Sequence, residues 1–222
     1  MRMRRKKSPT RRRGALTWLA GLAVLTAACH FLGVYCLTPE RALKRLETAE
    51  FTGPTEFLQR VAQPPGIPQG RGELRLAGGA DALFLARYRL QWNRGWATDL
   101  VEVAERDHDR PFTADYYDMW SSGDWTEESP KMDYPYIYGC VESAEVEKLV
   151  IQFDALEGGH SQTVELTAAD WIAGEDGGRF FLCQLEPEID NTSRQCSVTG
   201  YYADGAATKT LYLLGGIEQQ WK

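Results

Sequence analysis

The chain of 222 residues lacks the local signatures that would announce a reaction. There is no His-Glu-x-x-His zinc helix, no Gly-x-Ser-x-Gly elbow, no Ser-x-x-Lys, no Walker loop and no dinucleotide-binding glycine pattern. It contains no Cys-x-x-Cys and only three histidines, His30, His108 and His160, so a four-ligand zinc site has too few ligands at usable spacing. No cofactor is expected. No acid precedes Glu40, and Gly14–Leu37 carries no Asp, Glu, Lys or Arg.

What is present at the amino end is charge of one sign. Arg2, Arg4, Arg5, Lys6, Lys7, Arg11, Arg12 and Arg13 precede the uncharged run Gly14–Leu37. A hydrocarbon core takes roughly 20 apolar residues in a helix, so Gly14–Leu37 reads as a transmembrane anchor whose partner is the lipid bilayer. Positive charge resists translocation, which keeps residues 1–13 in the cytoplasm and exports the remainder. A cleaved signal peptide is the alternative, and Thr26-Ala27-Ala28-Cys29 loosely imitates a lipoprotein site, but the apolar run continues past it. His30, without an acidic neighbour, reads as a tolerated passenger.

Eight of the 25 cations lie in the tail, leaving seventeen against 31 acids outside, a charge of −14 where the whole chain has −6. Such a surface repels phosphate, and the basic tail belongs to another compartment, so nucleic acid is excluded as a partner. An envelope protein or glycan remains.

Thr38-Pro39-Glu40 is a helix start, with a capping hydroxyl, a proline suited to the first helical position and an acid at the positive helix end. The apolar spacing of Ala42, Leu43, Leu46 and Ala49 predicts a juxtamembrane helix within 38–52. Residues 53–70, with Gly53-Pro54 and Pro64-Pro65-Gly66, read as an extended connector. From 71 to 222 the pattern is strand-like. Leu83–Trp92 alternates Phe84, Ala86, Tyr88, Leu90 and Trp92 against Leu85, Arg87, Arg89 and Gln91, as in a strand with one wet face. Asn93-Arg94-Gly95 is a turn, and Asp99–Glu105 returns. Further strands are predicted at Tyr134–Glu142, Glu147–Phe153, Gln162–Leu166, Arg179–Glu186, Gln195–Tyr202 and Thr208–Leu214. The expected fold is mainly β: an anchor and a short helix, then an antiparallel β-sandwich-like extracytoplasmic region of one domain, or of two meeting near 121–133.

Of five cysteines, Cys29 and Cys36 lie in the anchor and Cys140, Cys183 and Cys196 outside it. Cys183 and Cys196 fall in apparently consecutive strands, where a hairpin would place them opposite each other for a disulfide; buried free thiols are the alternative.

The densest chemistry is Asp107–Tyr138, with eight aromatics between Phe112 and Tyr138 and interleaved acids. Aromatic rings beside carboxylates suit sugar faces and hydroxyls, and two carboxylates, Asp115 or Asp118 with Asp124, suit glycoside hydrolysis. The candidate ligand-binding residues are Asp115, Tyr116, Tyr117, Asp118, Trp120 and Trp125. The same tyrosines fit a covered sheet face equally well.

With Cys36-Leu37-Thr38-Pro39-Glu40-Arg41-Ala42-Leu43 followed by Thr52-Gly53-Pro54-Thr55-Glu56, the chain resembles small single-pass exported proteins of clostridia-like bacteria. The resemblance covers mainly residues 1–60 and implies a bacterial membrane protein with a β-rich outer region; it carries over no catalytic or binding residue. The resulting expectation is a non-enzymatic, membrane-anchored module that binds, scaffolds or senses at the cell envelope. The alternative is a glycan-binding module or hydrolase built on Asp107–Tyr138.

Overall fold

A computed structural model describes residues 9–32, 34–61, 72–120, 132–155, 161–189, 194–214 and 218–221. Helix α1 spans Pro9–Phe31 and α2 spans Pro39–Glu50. Thr38 is in extended backbone at the head of α2, and its hydroxyl accepts from the Arg41 N–H at 3.3 Å. The Thr-Pro-Glu start therefore works as the residue types predict. The helix ends on Phe51 at φ 55°, in the left-handed region. A bulky residue seldom takes that position.

Strands β1 (Thr55–Val61), β2 (Gly72–Gly79), β3 (Ala82–Gln91) and β4 (Gly95–Glu105) form a four-stranded antiparallel meander. The chain continues through β5 (Phe112–Trp120), β6 (Met132–Val141), β7 (Val146–Ala155) and β8 (Ser161–Thr167). It then passes through β9 (Ile172–Ala173), β10 (Arg179–Gln184) and β11 (Glu188–Ile189). The last three strands are β12 (Arg194–Tyr202), β13 (Leu211–Leu214) and β14 (Glu218–Trp221). In the second sheet β6 pairs with β5 on one side and with β10 and β11 on the other, and β9 follows β10. The third sheet has the order β14-β13-β12-β7-β8.

The three sheets stack, because the long strands of the middle sheet are apolar on both faces. Tyr134, Tyr136, Tyr138, Cys140 and Phe180 meet Leu74, Leu76, Leu83 and Leu85 of the first sheet. Phe112, Ala114, Ile137, Val141 and Phe181 meet Leu149, Ile151, Phe153 and Val198 of the third. Helix α2 then covers the outer face of the first sheet, with Ala42, Leu43 and Leu46 against Ala77, Phe84, Ala86 and Tyr88. Burying one such large side chain stabilises by roughly 1.5–3 kcal/mol, so these three interfaces dominate folding. Gly139, at the centre of the middle sheet, has no room for a side chain: a Cβ there would strike the Thr113 carbonyl oxygen and come within 2.5 Å of the Phe181 ring.

The fold is mainly β and antiparallel, as the alternating patterns predict, but four expectations change. Among the described residues no helix is long and apolar enough to cross a membrane. Helix α1 begins before the arginines, so its uncharged part is Gly14–Phe31. At a helical rise of about 1.5 Å per residue that part is about 27 Å long. The expected span to Leu37 is cut short because Cys36 is pulled into the domain, buried and bridged to Gly95. Second, the connector expected over 53–70 contains strand β1; 62–70 lie outside the described residues. Third, the wet face expected for Leu83–Trp92 is dry over Ala82–Ala86, since the middle sheet covers one side and α2 the other. Fourth, Phe112–Trp120 is a full strand paired with β6 from Phe112↔Val141 to Trp120↔Asp133, so the segment at 121–133 joins two strands of one sheet.

Candidate functional site

Among the described residues, Asp115, Tyr116, Tyr117 and Asp118 divide between the two faces of one strand. Strand alternation sends Asp115 and Tyr117 of β5 toward the first sheet and Tyr116 and Asp118 toward the third. Trp120 ends the strand, and Trp125 and Asp124 lie outside the described residues. The expected carboxylate pairs, Asp115 or Asp118 with Asp124, therefore each have one member outside the described residues.

Toward the third sheet the residues form a closed ionic clip. The Tyr116 hydroxyl donates to Asp118 Oδ1 at 2.6 Å. Arg194 Nη1, at the start of β12, donates to Asp118 Oδ2 at 3.3 Å and to the Tyr116 oxygen at 3.3 Å. Burial, followed by the Asp118 charge, raises the Tyr116 phenol well above its ordinary range, so it stays a donor. The Tyr116 ring stacks on Phe153 at 6.5 Å. These contacts join β5 to the third sheet.

Toward the first sheet, Tyr138 Oη donates to Asp115 Oδ2 at 3.4 Å. Glu102 of β4 feels the same carboxylate. Its acidity is weakened first by burial and then by the Asp115 charge, so it keeps its proton to higher pH. Tyr136 is pushed up to about 12 by burial and the neighbouring Tyr134. Tyr134, Tyr136 and Tyr138 are all buried, so their role is cover for the sheet face.

A third polar cluster sits where the first two sheets meet. Arg106 donates to Glu142 through Nε and Nη2 at 2.9 and 2.8 Å, and through Nη1 to Gly79 O at 2.6 Å and Asp176 Oδ2 at 3.2 Å. Its side chain is 7% exposed and that of Glu142 6%. Burial alone would raise the Glu142 carboxyl; the hydrogen bonds and charge of Arg106, with His108, outweigh it and hold it below the ordinary range. His108 Nδ1 lies 3.0 Å from Glu142 Oε2, in the turn between β4 and β5. Cys140 beside this cluster is pushed up to about 12 by burial and by Glu142, which makes it an inert thiol rather than a nucleophile.

Cys183 and Cys196 are buried free thiols. They do not share a hairpin: β10 pairs with β6 and β9, and β12 with β7 and β13. Both face the core between the second and third sheets, one from each side, because the chain between them changes sheet. Among the described residues no group of three or more His, Cys, Asp or Glu is placed to hold a metal ion.

An open aromatic groove, apart from these clusters, was not legible in the sequence. It holds about 900 Å³ and is lined by Val146, Lys148, Thr167, Trp171, Arg179, Tyr201 and Tyr202, among others. Asp170 Oδ2 accepts from the Thr167 N–H at 2.8 Å and hydroxyl at 3.1 Å, closing the short 3-10 turn Ala168–Asp170 that presents Trp171. The Arg179 guanidinium lies 4.5 Å from the Trp171 ring centre, a cation–π contact, while donating to the carbonyls of Val146, at 3.3 Å, and Ser143. Lys148 Nζ lies 5.2 Å from the Tyr201 ring centre and 3.2 Å from Glu165. Trp171 Nε1 is buried and has no acceptor among the described residues. Aromatics at strand ends beside turns, as in Tyr201-Tyr202 before Asp204-Gly205, were the only signal the sequence offered.

Compared with protein-family models, with curated proteins and with solved structures, the chain finds no match.

Proposed function

We propose that this chain is a non-enzymatic module of a bacterial cell envelope, held to the membrane by α1 and carrying its β domain outside. The supporting observation is the surface of α1. Leu16, Trp18, Leu19, Leu22, Val24 and Leu25 point outward on all sides of the helix and are uncovered by the domain, with Trp18 83% exposed. A helix apolar all round is stable where lipid replaces water. The uncharged part Gly14–Phe31 lies at the short end of the roughly 17–25 residues of natural spans, and taken alone the helix is not long and apolar enough to cross; the reading therefore places its flanks in the interface, with the positive charge at 11–13 at the inner end. The test is fractionation of cells producing the full chain, followed by protease added from outside. The chain is expected to stay in the membrane pellet through alkaline carbonate and to lose its β domain to the protease. Release by carbonate, or protection of the domain in intact cells whose outer barrier is permeabilised, overturns the reading.

A second reading, glycan binding, is favoured by one observation: three aromatic residues, Trp171, Tyr201 and Tyr202, line one open groove. Sugar rings offer apolar C–H faces and acceptor hydroxyls, and the ion pair of Lys148 with Glu165 leaves the groove without a strong field. Tyr201→Ala removes one groove ring. Under this reading it weakens binding of the full chain to cell-wall glycan at least about threefold without lowering thermal stability, the worth of one aromatic contact. Unchanged binding, or no binding by the parent chain, refutes it.

A further inference from the structure

The exposed large apolar side chains among the described residues are not scattered. They lie on α1, on Leu32, Val34 and Leu37 just after it, on Phe51 at the end of α2, and on Leu90 and Trp92 at the tip of the β3–β4 hairpin. Trp92 is 91% exposed, close to the most a tryptophan can be. The hairpin tip is tied to the point where α1 ends. The Cys36 N–H donates to Arg94 O at 3.0 Å and the Trp96 N–H to Cys36 O at 2.7 Å. Gly95 permits this approach: it has φ +69°, and a Cβ there would strike the Cys36 carbonyl. Only glycine takes such a backbone without steric cost.

The end of α1 is itself a fixed joint. Val34 and Tyr35 N–H groups both donate to Cys29 O, at 2.9 and 3.0 Å. Arg41 of α2 donates through Nε to His30 O at 3.2 Å and through Nη2 to Phe31 O at 2.6 Å, satisfying carbonyls that a helix end leaves open. The Leu37 N–H donates to His30 Nδ1 at 3.1 Å, which gives the anchor histidine a structural task as an acceptor.

We propose that the β3–β4 hairpin tip is a second membrane-contact element: Leu90 and Trp92 enter the interfacial layer beside the outer end of α1, with Arg94 against lipid phosphate. This rests on reading α1 as embedded in the bilayer. The length of α1 supports it. About 27 Å of uncharged helix falls short of a hydrocarbon core of about 30 Å, and a short span draws its flanks and their aromatic residues down to the interface. Charge supports it as well. From Ala82 to Thr98 there is no acid, while Arg87, Arg89 and Arg94 are present, in a domain otherwise strongly negative. Phosphate is repelled by the domain as a whole and accepted at this tip.

The test is hydroxyl-radical footprinting of the full chain in lipid nanodiscs containing anionic lipid, one chain per disc, with oxidation of each tryptophan peptide read by mass spectrometry. The urea-unfolded chain gives the rate for an uncovered residue. Trp92 is expected to react at least roughly fivefold more slowly in the disc than when unfolded, as an interfacial anchor would. In discs carrying Arg94→Glu that protection is expected to fall at least about twofold, because the phosphate contact is replaced by repulsion. Trp92 reacting at the unfolded rate while Trp18 is protected overturns the hairpin proposal and leaves the anchor standing. Reaction of Trp18 at the unfolded rate overturns the anchor reading, and this proposal with it. Protection of Trp92 only in discs loaded with several chains means that a second copy, not lipid, covers the tip, which also overturns it.

Discussion

Replacing Glu142 by Gln isolates the contribution of charge to the joint between the first and second sheets. The amide keeps the shape and one acceptor, but leaves the Arg106 guanidinium buried with Asp176, at 3.2 Å, as its remaining carboxylate partner. Removing one partner of a buried ion pair costs about 3–5 kcal/mol; because Asp176 and the Gly79 carbonyl remain, the lower end, about 3 kcal/mol, is expected. For a domain of this size that lowers Tm by roughly 6–12 °C. The pH dependence has a definite sign. The folded Glu142 carboxyl is held below its unfolded value. Its contribution is therefore complete above the unfolded value of about 4.3 and is lost as pH falls through the folded one. Urea unfolding of the full chain in detergent, followed by tryptophan fluorescence, is expected to give a constant penalty for Glu142→Gln from neutral pH down to about 5 and a shrinking one below. Added salt is expected to change it little, since buried pairs are weakly screened. A penalty under about 1 kcal/mol at pH 7, or one that does not shrink in acid, would refute the buried-pair account.

Gly139→Ala is expected to destabilise by about 1–3 kcal/mol in the same assay, since the new methyl must displace either the β5 backbone or the Phe181 ring; an unchanged midpoint would mean that the middle sheet spreads freely. Tyr136→Phe removes a hydroxyl that is buried without a partner among the described residues, so stability is expected to hold or rise by up to about 1 kcal/mol; a loss of that size would reveal a bonded hydroxyl. Cys183 and Cys196, pushed up to about 11 and about 12 by burial, are expected to resist alkylation at pH 8 until the chain is unfolded, then to label fully without reductant. A mass deficit of about two hydrogens in the unreduced chain would instead show a disulfide between the facing sheets.

The parts of this fold that could be read from the sequence are those whose determinants are local. Thr38-Pro39-Glu40 specifies its helix start through a cap and its two neighbours, and Asn93-Arg94-Gly95 specifies its turn. Leu83–Trp92 was legible as a strand and misjudged as half wet, because the face that carries Leu85 meets the middle sheet while α2 covers Phe84, Ala86 and Tyr88, and nothing local says which elements will stack. The same cause hid β5. A strand between two sheets has aromatic or apolar residues on both faces, so Phe112–Trp120 lacks the alternation that marks a strand and resembles a ligand-binding cluster. The groove around Trp171 is assembled from four separate segments, at Lys148, Thr167–Trp171, Arg179 and Tyr201-Tyr202. Its residues become neighbours through the pairing of β7 with β8 and β12 and of β9 with β10.

The bonds that lock the end of α1 to Arg41, Cys36 and Gly95 have a mechanical consequence. A globular head on a loose linker sweeps a volume set by the linker and samples every orientation. Here the head is mounted without a swivel. Under the anchor proposal, a tilt of α1 within the bilayer would become an equal tilt of the first sheet, and the groove at Trp171 would be offered at one height and one angle above the lipid. The reach of a molecule so anchored would be its own diameter, and what it met would have to come to it or already be bound close to the membrane.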